Sequence, residues 1–100
     1  MNYSVTQNGK ELSKELYTFD EKTKTFFSLE RDLVLDFSGI GYCTFRTGIN
    51  CTFKTGSNCT FKTGSYCTFK TGSYCTFNTG WDCTFMTGIN CICYLKYTQS

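Results

Sequence analysis

The chain has 100 residues, of which 40% are hydrophobic and 18% are charged, and its formal net charge is +2. This length fits one domain, and the composition is typical of a globular protein rather than of an intrinsically disordered one. No stretch approaches the roughly 20 apolar residues of a membrane-spanning helix, and the first ten residues lack the apolar core of a signal peptide. We therefore expect a cytoplasmic protein that makes no membrane contact.

Residues 1–34 are predicted to form an N-terminal capping segment. Residues 3–6 form a short predicted strand that ends at the turn signal Asn8 and Gly9. Residues 16–19 and 24–27 predict a hairpin because their aromatic and β-branched side chains favour strands. Residues 10–16 are also compatible with a helical turn. The segment holds five Lys or Arg and six Asp or Glu, which suits it to covering an open end of a repeat array.

From residue 43 to residue 90 the chain consists of six copies of one octapeptide, Cys-Thr-Phe-x-Thr-Gly-x-x. Side chains alternate along a strand, so Cys, Phe and the second Thr share one side, while the first Thr and the variable fourth residue share the other. The following Gly-x-x supplies a turn, since glycine can adopt a positive φ and the last residue of each copy is Asn, Asp or Tyr. The invariant Cys and Phe side predicts a core of Cys43, Phe45, Cys51, Phe53, Cys59, Phe61, Cys67, Phe69, Cys75, Phe77, Cys83, Phe85 and Cys91.

One octapeptide reverses the chain only once, so at least two copies are needed to close a coil. Identical repeats in parallel register place like residues about 4.8 Å apart and form ladders. We therefore predict an all-β protein, a parallel β-solenoid (β-helix) with two octapeptides in each coil. A coil of three octapeptides is the alternative, and an antiparallel meander is less favoured. The solenoid is assigned to residues 35–98, because Leu35 and Phe37 match the Cys and Phe positions of a degenerate copy.

The repeat pattern changes at the C-terminal end, where the chain reads Cys91-Ile92-Cys93-Tyr94-Leu95. In the frame of the repeats, Ile92 and Tyr94 take outward positions that threonine and a basic residue take earlier. The last coil therefore has an apolar outer face and no polar cap. We expect this end to pack against the N-terminal segment or against a second copy of the chain.

Eight cysteines without a histidine raise the question of metal binding. Zinc sites need four ligands brought together by short pairs, and only Cys91 and Cys93 are closely spaced. Evenly spaced thiols in a stack form a line, so we predict no metal and no cofactor, with the thiols filling the core in reduced form. Disulfides between stacked neighbours remain an alternative. They would strain the sheet, because parallel Cβ vectors hold the Cβ atoms too far apart.

The sequence contains no histidine, no nucleophile elbow and no phosphate-binding loop. Each candidate nucleophile in the array belongs to a repeated structural position. We therefore predict that the protein is not an enzyme and has no catalytic residue.

Outward basic residues form the candidate binding site for a polyanion such as nucleic acid or an acidic glycan. With two octapeptides per coil, Arg46 stacks with Lys62 on one face and Lys54 stacks with Lys70 on the other. The alternative interpretation is that these cations keep the sheet soluble and block edge pairing. Candidates for a protein interface are the outward and turn residues Ile92, Tyr94, Tyr66, Tyr74 and Trp81.

The motif Cys-Thr-Phe-Lys-Thr-Gly, the leader Tyr-Ser-Val-Thr-Gln-Asn-Gly-Lys-Glu-Leu and the run Leu-Val-Leu-Asp-Phe-Ser resemble uncharacterised repeat proteins of bacteriophage and bacterial genomes. The resemblance covers nearly the whole chain and brings no activity with it. It implies a phage-encoded protein of the host cytoplasm, and a shorter array than in longer relatives. Together, these features predict a non-enzymatic structural or protein-interaction β-solenoid with an unknown protein partner or self-association through its C-terminal coil; polyanion binding is the alternative.

Overall fold

The computed structural model describes residues 3–95, which form two six-stranded sheets around one core. A single 3₁₀ turn spans Lys14–Leu16, and no helix in this part of the chain has the length and apolar character to cross a membrane. The strands are β1 Ser4–Gln7, β2 Lys10–Glu11, β3 Thr18–Asp20, β4 Thr25–Phe27, β5 Leu33–Phe37, β6 Thr44–Arg46, β7 Thr52–Thr55, β8 Thr60–Lys62, β9 Thr68–Lys70, β10 Thr76–Thr79, β11 Thr84–Met86 and β12 Ile92–Leu95.

Successive strands of the repeat region alternate between the two sheets. The first sheet has the order β11-β9-β7-β5-β1-β2 and the second has the order β12-β10-β8-β6-β4-β3. Within each sheet the repeat strands pair in parallel with a shift of two octapeptides, so Phe45 lies beside Phe61 and Phe53 beside Phe69. The predicted β-solenoid with two octapeptides per coil is confirmed, and the coil of three octapeptides and the antiparallel meander are wrong. Residues 96–98 of the predicted solenoid lie outside the described residues.

Phenylalanine ladders fill the core. Neighbouring rings within a ladder are stacked, with centroids 5.0–5.2 Å apart and interplanar angles of 6–8°. Rings from opposite ladders meet edge to face at 4.9–5.5 Å. Each such pair contributes about 0.5–1.5 kcal/mol beyond the burial of its area, so the ladders bind both sheets together.

In the repeat turns the positive φ falls on the last residue of each copy, at 56–63°, and not on glycine. Among the described residues, the only glycines with a positive φ are Gly9 and Gly39, which lie outside the repeats. The repeat glycines serve close packing between coils instead, because a Cβ at Gly72 would lie 3.0 Å from the backbone nitrogen of Ser57. The second threonine of each copy donates its hydroxyl to the carbonyl of the next glycine, at 3.0–3.5 Å.

The alignment predicted for Leu35 and Phe37 with the Cys and Phe positions of the repeat is wrong by two residues. Leu35 lies beside Phe53, and Phe37 lies beside Thr55. Phe45 follows Phe37 by eight residues, whereas in the next coil Phe61 follows Thr55 by six. The two additional residues enlarge the turn after β5. A shift of two preserves the alternation of inward and outward side chains, so the sequence pattern alone cannot distinguish the two frames.

The N-terminal segment forms the predicted hairpin and a second strand pair that was not predicted, between β1 and β2. β1 and β2 pair antiparallel through a turn in which Asn8 and Gly9 both have positive φ, and β3 pairs antiparallel with β4. β1 adds to the first sheet beside β5, while β4 pairs in parallel with β6. Parallel stacking therefore already begins at β4.

Candidate interaction surfaces

Seven of the eight cysteines form two rows inside the solenoid and make regular backbone contacts. The backbone N–H of one cysteine donates to the Sγ atom of the cysteine one coil later in its row, as from Cys51 to Cys67, at 3.4 Å. Thiols also donate to glycine carbonyls of the preceding coil, as from Cys67 to Gly48 at 3.7 Å. All eight cysteines are free, and the described residues contain no group of three or more potential metal ligands.

The environment of most of the thiols disfavours their reactive thiolate form. Burial raises the pKa of Cys43 to about 11 and also raises the pKa of Cys59 and Cys83. The hydrogen bond with Cys51, together with burial, raises the pKa of Cys67. Because the thiolate is the nucleophile and the metal ligand, these four thiols are poor candidates for either role at neutral pH. Cys51 differs, because its hydrogen bond with Cys67 lowers its pKa to about 7, but this thiol is fully buried and a substrate cannot reach it.

The predicted core residues are not equally buried along the rows. Those of the central coils, from Cys43 to Phe77, are at most 1% exposed. Cys83, Phe85 and Cys91 pack against this core but are only partly buried. Burial therefore decreases toward the C-terminal end of the solenoid.

The basic residues form two short rows on the outer faces of opposite sheets. Arg46 lies beside Lys62 in the second sheet, and Lys54 lies beside Lys70 in the first. All four side chains are exposed. The row in the first sheet is preceded by Asp36, which lies beside Lys54. Each surface thus holds only two adjacent cations, so the rows do not combine into one basic patch.

The turn aromatics lie at both corners of the coil. Tyr66 and Trp81 are neighbours at one corner, where the Tyr66 backbone N–H donates to the Trp81 carbonyl at 3.0 Å. Tyr74 lies at the opposite corner, in the turn from β9 to β10, and Tyr42 precedes it by two turns on the same corner. Their side chains are 49–71% exposed. The structure therefore does not bring the candidate interface residues together on one surface.

Within residues 3–95, the C-terminal end of the solenoid is open. In the described part of the chain β11 and β12 are the last strands of their sheets, and each pairs on one side only. Ile92 and Tyr94 lie beside Thr76 and Asn78, which confirms their predicted outward positions. They are 51% and 54% exposed, and Met86, on the outer face of the other sheet, is 55% exposed.

The exposure of two residues at this end was not predicted from the sequence. Cys93 lies beside Phe77, so a small, exposed thiol replaces phenylalanine at the end of a ladder. Phe85 ends the other ladder and is only partly buried. The loss of phenylalanine at position 93 is visible in the sequence, and the predicted coil of two octapeptides would have placed it at the end of the core.

The strands β11 and β12 contain no charged residue. Residues 83–95 contain no Asp, Glu, Lys or Arg. Edge strands of soluble proteins commonly carry charges, lysine in particular, that prevent pairing with other chains. The C-terminal edges lack this protection.

The N-terminal segment covers the opposite end. Tyr3 stacks on Phe37 with centroids 4.6 Å apart, and Phe19 meets Phe37 edge to face at 5.4 Å. Tyr17 stacks on Phe26 at 5.2 Å. Because β2 and β3 are the far edges of the two sheets from β11 and β12, the expected packing of the C-terminal end against this segment is wrong.

No family model, curated protein or solved structure matches the chain. A function is therefore proposed from the surfaces described above.

Proposed function

We propose that this protein is a non-enzymatic structural or protein-interaction β-solenoid, phage-encoded and acting in the bacterial cytoplasm, which binds protein through its C-terminal end. The observation that carries the proposal is the difference between the two ends. One end is closed by an aromatic cap. At the other, within residues 3–95, two strand edges, the end of the core and three large exposed apolar side chains have no cover.

Strand edges bind protein through their backbone. The outer N–H and C=O groups of β11 and β12 offer hydrogen bonds to an added strand, which is the basis of recognition by β-augmentation. Met86, Ile92 and Tyr94 supply apolar contacts beside these edges. Backbone pairing and apolar contact are insensitive to salt, so binding at this end should resist high ionic strength.

The non-enzymatic part of the proposal is supported by the state of the cysteines. The thiols in the rows are engaged by the backbone, and burial raises the pKa of several of them. A thiol held in this way serves packing rather than nucleophilic chemistry.

Two single lysine substitutions in one row test the binding end. Tyr94→Lys puts a charge on the open edge, and Asn78→Lys puts the same charge one coil further in. Both variants, and the wild type, are tagged and used for pull-down, at low and high salt, from lysate of bacteria that also produce the untagged chain. We expect salt-resistant recovery of one defined protein, lost with Tyr94→Lys and kept with Asn78→Lys. Equal recovery with all three proteins would contradict the proposal.

Polyanion binding through Arg46, Lys54, Lys62 and Lys70 is the second candidate, favoured by the exposure and adjacency of these cations. It predicts binding to heparin or duplex DNA that weakens steeply with salt. Changing Lys54, Lys62 and Lys70 to Ser should abolish that binding. Unchanged affinity of the triple variant would remove this candidate.

A further inference from the structure

We propose that the partner of the C-terminal end is a second copy of this chain, joined end to end in a closed dimer with two-fold symmetry. This inference rests on the proposed function and specifies its partner.

The offset between the edges selects one two-fold arrangement. Successive strands alternate between sheets, so β12 lies half a coil beyond β11, which is about 2.4 Å along the solenoid axis. A two-fold axis parallel to the strands brings β11 of each copy to β12 of the other. The two distances between β11 of one copy and β12 of the other are then equal. An axis perpendicular to the sheets would bring β11 to β11 and β12 to β12. The distance between the two β11 strands would then differ from the distance between the two β12 strands by one whole strand spacing. Only the first arrangement allows both edges to pair.

The pairing in this arrangement is antiparallel and fits the side chains. Inward residues stay inward when Phe85 of one copy lies opposite Cys93 of the other. That register puts Met86 opposite Ile92 on the outer face, so two exposed apolar side chains cover each other. The smaller side chain of Cys93 leaves room at the joint for the Phe85 ring. The partly exposed end of each phenylalanine ladder is thereby covered by the other copy.

The uncharged character of this end favours an identical partner. In a two-fold interface each surface meets itself, so any charge close to the axis faces a like charge. Residues 83–95 contain none, so β11 and β12 bring no like charges together when they pair. The same absence removes the usual protection of edge strands against pairing.

Closure of the N-terminal end limits the assembly to two copies. A head-to-tail filament would require β11 and β12 to pair with β2 and β3. β2 has only two residues, Lys10–Glu11, and β3 ends at Asp20, so both edges are short and charged. Such edges resist strand addition, whereas the two C-terminal edges accept each other.

The experiment measures the native mass of the purified protein by sedimentation velocity over a wide concentration range. We expect the mass to rise with concentration to twice that of the chain and no further. Tyr94→Lys should shift the protein to monomer, while Asn78→Lys should dimerise as the wild type does. A wild-type protein that is monomeric throughout, or that grows beyond two copies, would overturn the proposal.

Hydrogen exchange on the unmodified protein gives a second measurement that needs no variant. Comparison of concentrated with dilute protein should show added protection of backbone amides in β11 and β12, with none in β2 and β3. Added protection at both ends would indicate head-to-tail contact and overturn the closed dimer. A monomeric wild type that still recovers another protein through the open end would overturn this inference alone and leave the proposed function intact.

Discussion

The two ends of the solenoid meet the same physical problem in different ways. A stack of coils must end somewhere, and at each end a layer of the core and two strand edges lose their neighbours. At the N-terminal end an aromatic cluster covers Phe37, and the last strands are short and charged. At the C-terminal end of the described chain the ladders finish on Phe85 and Cys93 without such cover. The repeat itself therefore does not cover the end of its stack, and within residues 3–95 only the N-terminal end has an aromatic cap.

The central ladder provides the reference against which either end is measured. Phe61 is fully buried and contacts rings on both neighbouring coils, whereas Phe85 is partly exposed and has a neighbour on one side only within the described chain. We expect Phe61→Ala to reduce the free energy of unfolding by about 3–5 kcal/mol. Phe85→Ala is the matched control and should cost clearly less. Urea denaturation of both variants measures the difference, and equal losses would show that the open end is as well packed as the middle.

Removing a cap residue tests how much the closed end contributes. Tyr3 makes two ring contacts, with Phe37 and Phe19, and each pair is worth about 0.5–1.5 kcal/mol beyond area burial. We expect Tyr3→Ala to lower the free energy of unfolding by about 1–3 kcal/mol and to increase hydrogen exchange in β5. Tyr42→Ala, which truncates a largely exposed tyrosine at a turn, is the control. A Tyr3 variant as stable as that control would mean that the segment does not act as a cap.

Alkaline pH should affect the closed and central coils through their thiols. A pKa that is higher in the folded state than in the unfolded state gives stability that is complete below the unfolded value and is lost as pH rises through the folded value. The pKa of Cys43 rises from 9.0 to about 11, so this contribution should disappear between roughly pH 9 and 11. Melting temperatures measured over this range should fall, and Cys43→Ala should show a smaller fall. An identical pH dependence in the variant would contradict the assignment to Cys43.

The smallest effect on stability is expected at the open edge. Tyr94 is half exposed, so Tyr94→Lys should change the melting temperature of dilute protein little, by an amount corresponding to about 0.5 kcal/mol or less. Its consequence should appear in association instead. If dilute Tyr94→Lys melts much lower than the wild type, the residue stabilises the fold and the pull-down comparison must be made with a different edge substitution.

The size of the coil could be predicted from the sequence because the period of the repeat and the alternation of side chains admit few closed arrangements. The frame of Leu35 and Phe37 could not, since a shift of two residues leaves the alternation unchanged. The close packing of the repeat glycines between coils could not be predicted either, because the atoms that a Cβ would contact belong to the preceding coil and are distant in sequence. Given a coil of two octapeptides, the placement of Tyr66 and Tyr74 at opposite corners follows from their spacing of eight residues. The exposure of Phe85 follows from the position of β11 as the last strand of its sheet within the described residues.

The alternation of strands between sheets restricts how such an array can change its length. Gain or loss of a single octapeptide by recombination would move the strand that contains Ile92 and Tyr94 to the other side of the rod, relative to the cap. A change of two copies would lengthen or shorten the rod and leave both ends in their original orientation. We therefore expect functional variants of this protein to differ from it by even numbers of octapeptide copies.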